Sequence, residues 1–201
     1  MDWFRPVDVV LALLAIVFFG PLMLTIALAI RLTDQGPILF AHRRIGQDGN
    51  EFRCLKFRTM VVNSDARLAA ILADDPAARL EWQVDHKLRQ DPRITRLGGF
   101  LRRTSFDELP QLFNVLRNEM SLVGPRPIVS AEVARYGRWF VNYSRVKPGI
   151  TGLWQVNGRN ETSYRRRVAL DVVYSRRRTL RLNGKILLLT VPAVLTRRGS
   201  F

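Results

Sequence analysis

Two adjacent acids, Asp107 and Glu108, are the residues of this chain best suited to chemistry. They lie in the stretch "TSFDELPQLFNVL", directly after the basic pair at 102–103. The whole chain carries 32 Lys and Arg against 17 Asp and Glu, which is a formal net charge of +15. Such an excess indicates an anionic partner: nucleic acid, a lipid surface or a phosphorylated substrate. An ionised, partly exposed carboxylate in this setting can act as a nucleophile or as a ligand of a hard metal ion.

The same two acids also fit a purely structural role. Ser105 and Glu108 have the S-x-x-E spacing of a capping box, in which Asp107 would only complement the helix dipole. With Ser105 as the cap, Pro110 would be the fifth helical residue, where its ring and its missing amide are unfavourable. With Asp107 as the cap, Pro110 would fall in the first turn, and the helix end and the nearby arginines would favour an ionised Asp107. The spacing permits both interpretations.

An uncharged run of 22 residues, Val9 to Ile30, lies near the N-terminus and is the segment that would attach the acids to a membrane. A straight helix of that length is ~33 Å long, which is enough to cross the hydrocarbon core of a bilayer. The run is too long for a cleaved signal peptide, and no small-residue cleavage site follows it. We therefore expect a membrane-inserted helix over residues 1–35 and a catalytic domain over residues 36–201, together forming one structural unit.

The centre of this run, Gly20-Pro21, predicts a kink. Pro21 cannot donate a hydrogen bond to the carbonyl of Val17, and its ring crowds the preceding turn. The kinked helix either spans the bilayer or bends back to the face from which it entered. Basic residues flank the run at Arg5 and Arg31, which gives a modest argument for two cytoplasmic ends. On these residues alone the two topologies are about equally favoured.

The remaining pattern predicts a mostly helical α+β domain with one small β-hairpin. Strands at 38–40 and 51–58 flank an Asp-Gly turn, and alternation places Lys56 and Arg58 on one face of the second strand. Periodicity predicts four further helices: 64–76, capped by Asn63-Ser64; 109 to about 116; 130–138; and 163–178. Turn residues predict irregular chain at 76–100, an extended turn at 124–127 and a glycine-rich loop at 149–158. The apolar segment at 185–195 is too short to span a bilayer and is expected to be interfacial.

Composition narrows the chemistry further. Of the 32 basic residues 28 are arginine, whose planar fork suits phosphate. Arginine clusters at 165–167, 176–178 and 197–198 could bind anionic headgroups. The single cysteine, Cys54, cannot form an intrachain disulfide, and this fits a reducing cytosolic face. One cysteine and two histidines argue against a structural zinc site, and His42 and His86 receive no role.

Residues 102–127, "RRTSFDELPQLFNVLRNEMSLVGPRP", resemble the signature of the bacterial sugar transferases, the monotopic polyprenol-phosphate phosphoglycosyl transferases. The resemblance extends over nearly the whole chain and looks closest to the catalytic domain of undecaprenyl-phosphate galactose or glucose phosphotransferases. The other blocks occur in the family order: the apolar segment with Pro21, "GPILFAHRRIGQDGNEF", "KFRTM", "DPRITRLG", "KPGITGLWQVNGR" and "RRGSF".

The resemblance implies a mechanism. Asp107 would attack the β-phosphorus of a UDP-sugar, UMP would leave, and undecaprenyl phosphate would accept the phosphosugar from the carboxylate in a ping-pong reaction. Mg²⁺ would bridge Asp107 and the diphosphate, and Glu108 would position the metal or handle a proton. Four basic residues match positions of the family motifs and are expected to bind substrate: Lys56, Arg58, Arg102 and Arg126.

The resemblance also implies a location. Family members use a re-entrant helix bent at a Ser-Pro pair, and the corresponding pair here is Gly20-Pro21. The catalytic domain would lie on the cytoplasmic face of the bacterial inner membrane, where amphipathic interfacial helices contact lipids, and self-association is left open. Two other functions agree less well with the sequence. A membrane-tethered nucleic-acid-binding module lacks a recognisable motif, so no nucleic-acid partner is expected; a catalytically silent scaffold is disfavoured by the intact acid pair.

Overall fold

The computed structural model describes residues 4–85, 88, 90–158 and 162–195. His86, the Arg197–Arg198 pair and the closing "RRGSF" block lie outside these residues. The described chain is mostly helical. Its strands are β1 (Leu39–Ile45), β2 (Glu51–Phe57), β3 (Ser121–Val123) and β4 (Gly149–Thr151). Its α-helices are α1 (Arg5–Thr33), α2 (Ser64–Asp74), α3 (Pro76–Asp85), α4 (Arg96–Thr104), α5 (Gln111–Leu116), α6 (Ser130–Tyr136), α7 (Phe140–Ser144), α8 (Leu153–Val156), α9 (Tyr164–Arg177) and α10 (Leu180–Leu195).

The predicted hairpin is confirmed, and its first strand is longer than expected. β1 and β2 pair antiparallel from Leu39 opposite Phe57 to Ile45 opposite Glu51. A short 3₁₀ turn at Gln47–Gly49 joins them, with Asp48 and Gly49 at φ 57° and 78°. A second, parallel pair of strands, β3 and β4, was not predicted. The segment expected to be a glycine-rich loop at 149–158 contains β4 and α8 instead.

The expectation of irregular chain at 76–100 was wrong, because side-chain caps start two helices there. Asp75 Oδ1 accepts from the amide of Ala77 at 2.8 Å, at the start of α3. Thr95 Oγ1 accepts from the amide of Gly98 at 2.9 Å, at the start of α4. A Cβ atom on Gly98 would lie 2.0 Å from the carbonyl oxygen of Thr59. This glycine is therefore needed for close helix packing and does not break the helix.

Both halves of α1 pack against the rest of the protein. In the first half, Ala12 is buried in a core cluster with Val115 of α5. In the second half, Met23 and Ile26 are buried in another cluster, with Leu101 of α4. Because each half contributes to a core, α1 lies along the body of the protein over most of its length.

The two ends of α1 are also bonded to that body. Arg5 donates to the carbonyls of Val115 and Leu116 at the end of α5. Asp34, which follows α1, accepts from Arg58 just beyond β2, through its carbonyl at 2.8 Å. Among the described residues, α1 is the one helix long and apolar enough to cross a membrane, and only 17% of its most apolar window is buried. The bend expected at Gly20-Pro21 stays a prediction; α1 is helical on both sides of it.

Candidate active site

Asp107 and Glu108 lie on a single 3₁₀ turn between two helices. Ser105 adopts the left-handed conformation (φ 59°) and ends α4, with its amide bonded to the Arg102 carbonyl. The next α-helix, α5, begins only at Gln111. Both expected caps were therefore wrong. Ser105 closes the preceding helix and makes no capping hydrogen bond, while Asp107 lies one turn before α5 begins.

The apolar neighbours of the acids, Phe106 and Leu109, determine which side of this turn faces the core. Phe106 and Leu109 pack against the cluster that contains Met23 and Ile26 of α1. Asp107 is only 7% exposed, yet both acids line a cleft of about 980 Å³. The sequence "FDEL" thus sets two apolar residues against the membrane-helix candidate and leaves the two acids between them for the cleft.

Lys56 joins the two acids. Its Nζ lies 2.6 Å from Glu108 Oε1 and 3.4 Å from Asp107 Oδ2. The strand that carries it is held by Asn114 of α5, which is fully buried. Asn114 Oδ1 accepts from the Leu55 amide at 2.9 Å, and its Nδ2 donates to the Arg53 carbonyl at 2.8 Å. The side chain of Asn114 therefore fixes β2, and with it Lys56, against the element that follows the acids.

The three groups shift one another's protonation. Burial raises the pKa of Asp107, and the nearby Glu108 adds to this against the opposing attraction of Lys56. Burial alone would also raise the pKa of Glu108, but attraction and a hydrogen bond from Lys56 outweigh it and hold that pKa below the usual range. Burial would lower the pKa of Lys56, but Glu108 and Asp107 raise it above its ordinary value. The pair is thus asymmetric: the pKa of Glu108 is lowered, whereas the pKa of Asp107, whose ionisation the sequence was expected to favour, is raised.

Arginines surround the acids in the cleft. Arg126 is exposed between two buried prolines, Pro125 and Pro127. Arg44 donates to the Pro127 carbonyl at 3.2 Å. Burial, and then the charge of Arg126, lower the pKa of Arg44. The cleft therefore has a strongly cationic wall, which suits a phosphorylated ligand.

The other two expected basic residues are more constrained. Arg102 lines the cleft and donates from Nε to Thr59 Oγ1 at 2.9 Å. Arg58 also lines the cleft but is only 9% exposed, and its Nη2 lies 3.4 Å from Asp34 Oδ2 in addition to its bond to the Asp34 carbonyl. This geometry ties Arg58 to the end of α1, whereas Lys56, Arg102 and Arg126 surround the acids.

Sequence reasoning missed several cleft residues on the hairpin. Phe40, His42 and Arg44 all line the cleft. Their spacing of two, on the strand that pairs with the strand of Lys56, is a signal that could have identified them. His42 in particular was given no role from the sequence.

Part of the cleft lining is apolar. Ala15 and Phe19 of α1 belong to it, and so do Trp154 of α8 and Ala193 of α10. The wall of the cleft is thus formed in part by the helix that is the membrane candidate.

The acids offer a limited donor set for a metal. Within the described ranges 4–85, 88, 90–158 and 162–195, three or more His, Cys, Asp or Glu side chains nowhere come close enough to hold an ion. Two adjacent carboxylates fit Mg²⁺, which is often bound through one or two carboxylates together with substrate phosphates. Asp107 and Glu108 match that requirement, although Lys56 Nζ competes for the same oxygens.

The sequence model of the family described as "Bacterial sugar transferase" matches residues 3–197. The chain belongs to the bacterial sugar transferase family. The acid pair and the basic cleft are thus features of a bacterial sugar transferase, the family that the motif at 102–127 resembles.

Named relatives agree with this assignment. The undecaprenyl-phosphate galactose phosphotransferase of Salmonella typhimurium is 50% identical over 198 residues, which are 98% of this chain and 41% of that protein. The exopolysaccharide production protein ExoY of Sinorhizobium fredii is 46% identical over 197 residues, 98% of this chain and 87% of that protein. The UDP-glucose:undecaprenyl-phosphate glucose-1-phosphate transferase of Escherichia coli K12 is 40% identical, with 93% of this chain and 39% of that protein covered. The chain thus spans about two fifths of the length of the Salmonella and Escherichia proteins and most of the length of ExoY.

Proposed function

We propose that this bacterial sugar transferase is a phosphoglycosyl transferase that moves a sugar 1-phosphate from a UDP-sugar to undecaprenyl phosphate. The observation that carries the proposal is the buried Asp107 beside Glu108 and Lys56, in a cleft that is lined by both cationic and apolar side chains. The relatives from Salmonella and Escherichia carry names that specify undecaprenyl phosphate as acceptor. Such a reaction would begin the membrane stage of exopolysaccharide or O-antigen synthesis.

In the first step an Asp107 carboxylate oxygen bonds to the β-phosphorus of the UDP-sugar. The bond from that phosphorus to the bridging oxygen breaks, and UMP leaves with the electron pair. An acyl phosphate that carries the sugar remains on Asp107. In the second step an oxygen of undecaprenyl phosphate attacks the same phosphorus, the acyl phosphate bond breaks, and the carboxylate is restored.

The neighbouring cations have defined tasks in these steps. Lys56, Arg102 and Arg126 hold the diphosphate and offset the repulsion between two anions. When bound, Mg²⁺ held by Asp107 and Glu108 supplies further neutralisation of the phosphate charge. Glu108, ionised beside Lys56, keeps that ammonium in place while Asp107 reacts.

Two helices support a membrane location. α1 exposes Val17 and Phe18 at 77% and 76%, and α10 exposes Leu188 at 77% while it buries Ile186. Contiguous exposed apolar surface of this kind marks a membrane or partner interface. Since apolar residues of α1 and α10 also line the cleft, a lipid substrate could reach Asp107 from the bilayer.

The re-entrant topology forms part of the proposal. α1 enters the inner membrane and returns, so that the catalytic residues stay on the cytoplasmic face. Bonds from Arg5 to Leu116 and from Arg58 to Asp34 support it, because both ends of α1 are attached to one body. Arginines at 165–167 and 176–178 supply positive charge for anionic headgroups.

The decisive experiment uses detergent-solubilised protein, UDP-galactose or UDP-glucose labelled in the sugar, Mg²⁺ and undecaprenyl phosphate. We expect label in the extracted lipid, with UMP as the second product. Asp107→Ala should reduce the transfer by about a thousandfold or more. With the acceptor omitted, mass spectrometry of the digested protein should find a hexose phosphate on the peptide that contains residue 107. An active enzyme without this adduct would contradict the covalent mechanism, and no transfer from any UDP-sugar would refute the function.

A further inference from the structure

The mechanism above leaves two rings in the cleft unexplained. Phe40 and His42 project from β1, and their ring centroids lie 5.8 Å apart with an interplanar angle of 19°. Both side chains line the cleft, and Phe40 is 53% exposed. A large aromatic side chain that is half exposed and already stacked on a second ring offers a flat surface to a planar ligand. We call Phe40 and His42 the ring pair.

The hairpin register brings the ring pair next to the acids. Phe40 lies directly opposite Lys56, and His42 lies opposite Cys54. Residues opposite each other in an antiparallel pair have Cβ atoms about 4.5–5.5 Å apart. Lys56 Nζ contacts Glu108 at 2.6 Å. Only the side chain of Lys56 therefore separates Phe40 from the acid pair.

Burial and the charges around His42 favour its neutral form. Burial, followed by the charges of Arg44 and Lys56, lowers the pKa of His42. The imidazole is therefore neutral at pH 7, with one nitrogen as donor and the other as acceptor. A neutral ring of this kind can exchange hydrogen bonds with the carbonyl and imide groups of a pyrimidine base.

The other parts of the cleft suit the other parts of the substrates. Lys56, Arg102 and Arg126 suit the diphosphate, and the wall formed by α1 and α10 suits an isoprenoid chain. We propose that Phe40 and His42 bind the nucleobase of the donor, with the uracil ring stacked on Phe40 and its edge hydrogen-bonded to His42. This inference rests on the proposed function, since it assigns the nucleoside end of the UDP-sugar to one strand of the same cleft.

The kinetic test compares Phe40→Ala with Leu39→Ala. Leu39 lies on the same strand, is 41% exposed and points to the opposite face of the hairpin. Stacking of a base on an aromatic ring is worth enough that its loss should raise the KM for the UDP-sugar about tenfold. The KM for undecaprenyl phosphate should not change, and Leu39→Ala should leave both values near those of the wild type. Phe40→Leu, which keeps apolar bulk without the ring, should behave like Phe40→Ala, while Phe40→Tyr should restore binding.

A binding measurement separates the base from the phosphates. UMP should raise the melting temperature of the wild-type protein. In Phe40→Leu and in His42→Ala, about ten times more UMP should be needed for the same rise. Inorganic pyrophosphate, which has no base, should inhibit the wild type and both variants at equal concentrations. Equal UMP responses in the wild type, Phe40→Leu and Leu39→Ala would overturn the assignment, as would equal loss of UMP and pyrophosphate affinity.

These outcomes are distinguishable from failure of the proposed function. If the wild type transfers sugar phosphate and Phe40→Leu has an unchanged KM for the UDP-sugar, only the nucleobase assignment is wrong. If the wild type transfers nothing from any UDP-sugar but UMP stabilises it in a Phe40-dependent way, the nucleotide site stands and the reaction is wrong. A wild type that does not respond to UMP at all refutes the nucleobase site.

Discussion

At the scale of single residues, the chemistry depends on a charge balance among Asp107, Glu108 and Lys56. Burial works against ionisation of Asp107, whereas Lys56 works in favour of it. In the proposed mechanism a protonated Asp107 cannot attack phosphorus, so Lys56 would influence the reaction through the charge of Asp107 as well as by holding the diphosphate. Its contact with Glu108 at 2.6 Å keeps it in place for this task.

We predict that Lys56→Gln shifts the acid limb of the pH–rate profile to higher pH. The attraction of Lys56 lowers the pKa of Asp107, so its loss raises that pKa further and leaves less of the reactive carboxylate at a given acidic pH. The measurement is kcat/KM for UMP release between about pH 5 and pH 9. Lys185→Gln, on the exposed face of α10, is the matched control. An acid limb that stays in place or moves to lower pH would contradict the assigned role.

Arg58 should matter for stability more than for substrate binding. Arg58→Ala removes the bonds to Asp34 and should cost about 2 kcal/mol of unfolding free energy, or about 4–8 °C in melting temperature. The KM for the UDP-sugar should change little. Arg53→Ala, which changes an exposed arginine of β2, should leave the melting temperature unchanged. A large rise in KM with no loss of stability would show that Arg58 binds substrate directly.

At the scale of secondary-structure elements, α1 both carries exposed apolar surface and completes two core clusters. Its exposed positions include Val17, Phe18 and Leu24, while Ala12 and Ile26 are buried. A helix attached to the body at both ends is difficult to reconcile with a straight passage through a bilayer. The re-entrant arrangement satisfies both the exposed surface and the two attachments.

Cysteine labelling tests this topology. In a Cys54→Ala background, Asp2→Cys and Gln35→Cys flank α1, and both should react with an impermeant thiol reagent only from the cytoplasmic side. Pro21→Ala restores the missing amide and should straighten the segment, which would allow labelling of Asp2→Cys from the periplasm. Periplasmic labelling in the chain that retains Pro21 would mean that α1 spans the membrane.

The sequence was informative wherever one local signal dominated. The apolar run, the Asp-Gly hairpin and the helix containing the triple arginines were predictable from composition and periodicity. The turn that carries the acids was not, because the left-handed Ser105 that ends α4 has no marker such as glycine. Gly98 and Gly99 supported the wrong expectation of irregular chain at 76–100, since paired glycines usually interrupt a helix. Gly98 is instead required by the close Thr59 carbonyl, which is distant in sequence and which local patterns cannot reveal.

The candidate site divides in the same way. Asp107, Glu108, Lys56 and Arg126 were identifiable through the family motifs, and the structure brings them into one cleft. The buried Asn114, which holds β2 in place, acts across 59 positions of sequence, and no local pattern predicts such a contact. The ionisation of Asp107 was expected to be favoured, since helix ends and charges can be read from a sequence, whereas burial depends on the whole fold.

At the scale of the whole molecule, α1 and the domain after it share their cores. Met23, Ile26 and Ile30 are buried together with Phe57 and Leu101. Removal of α1 would expose that cluster and the group around Val115 to water. Residues 1–35 and 36–201 therefore differ in their expected location but belong to one folding unit.

We predict that a protein beginning at Gln35 does not fold. Loss of the buried side chains of α1 leaves apolar surface on both remaining clusters, and exposure of several such side chains exceeds the net stability of a typical domain. Size-exclusion chromatography and circular dichroism should show aggregated or unfolded material, compared with the full chain in the same detergent. A monodisperse, folded fragment that still binds UMP would contradict this expectation.

The wall that Ala15 and Phe19 contribute to the cleft has a consequence for how the enzyme responds to its surroundings. In the proposed membrane placement, the depth of α1 would depend on the thickness and tension of the bilayer, and the shape of the cleft would change with that depth. Turnover should therefore differ between nanodiscs of short-chain and long-chain lipids even at saturating substrate, which would couple the start of envelope sugar assembly to the mechanical state of the cell surface.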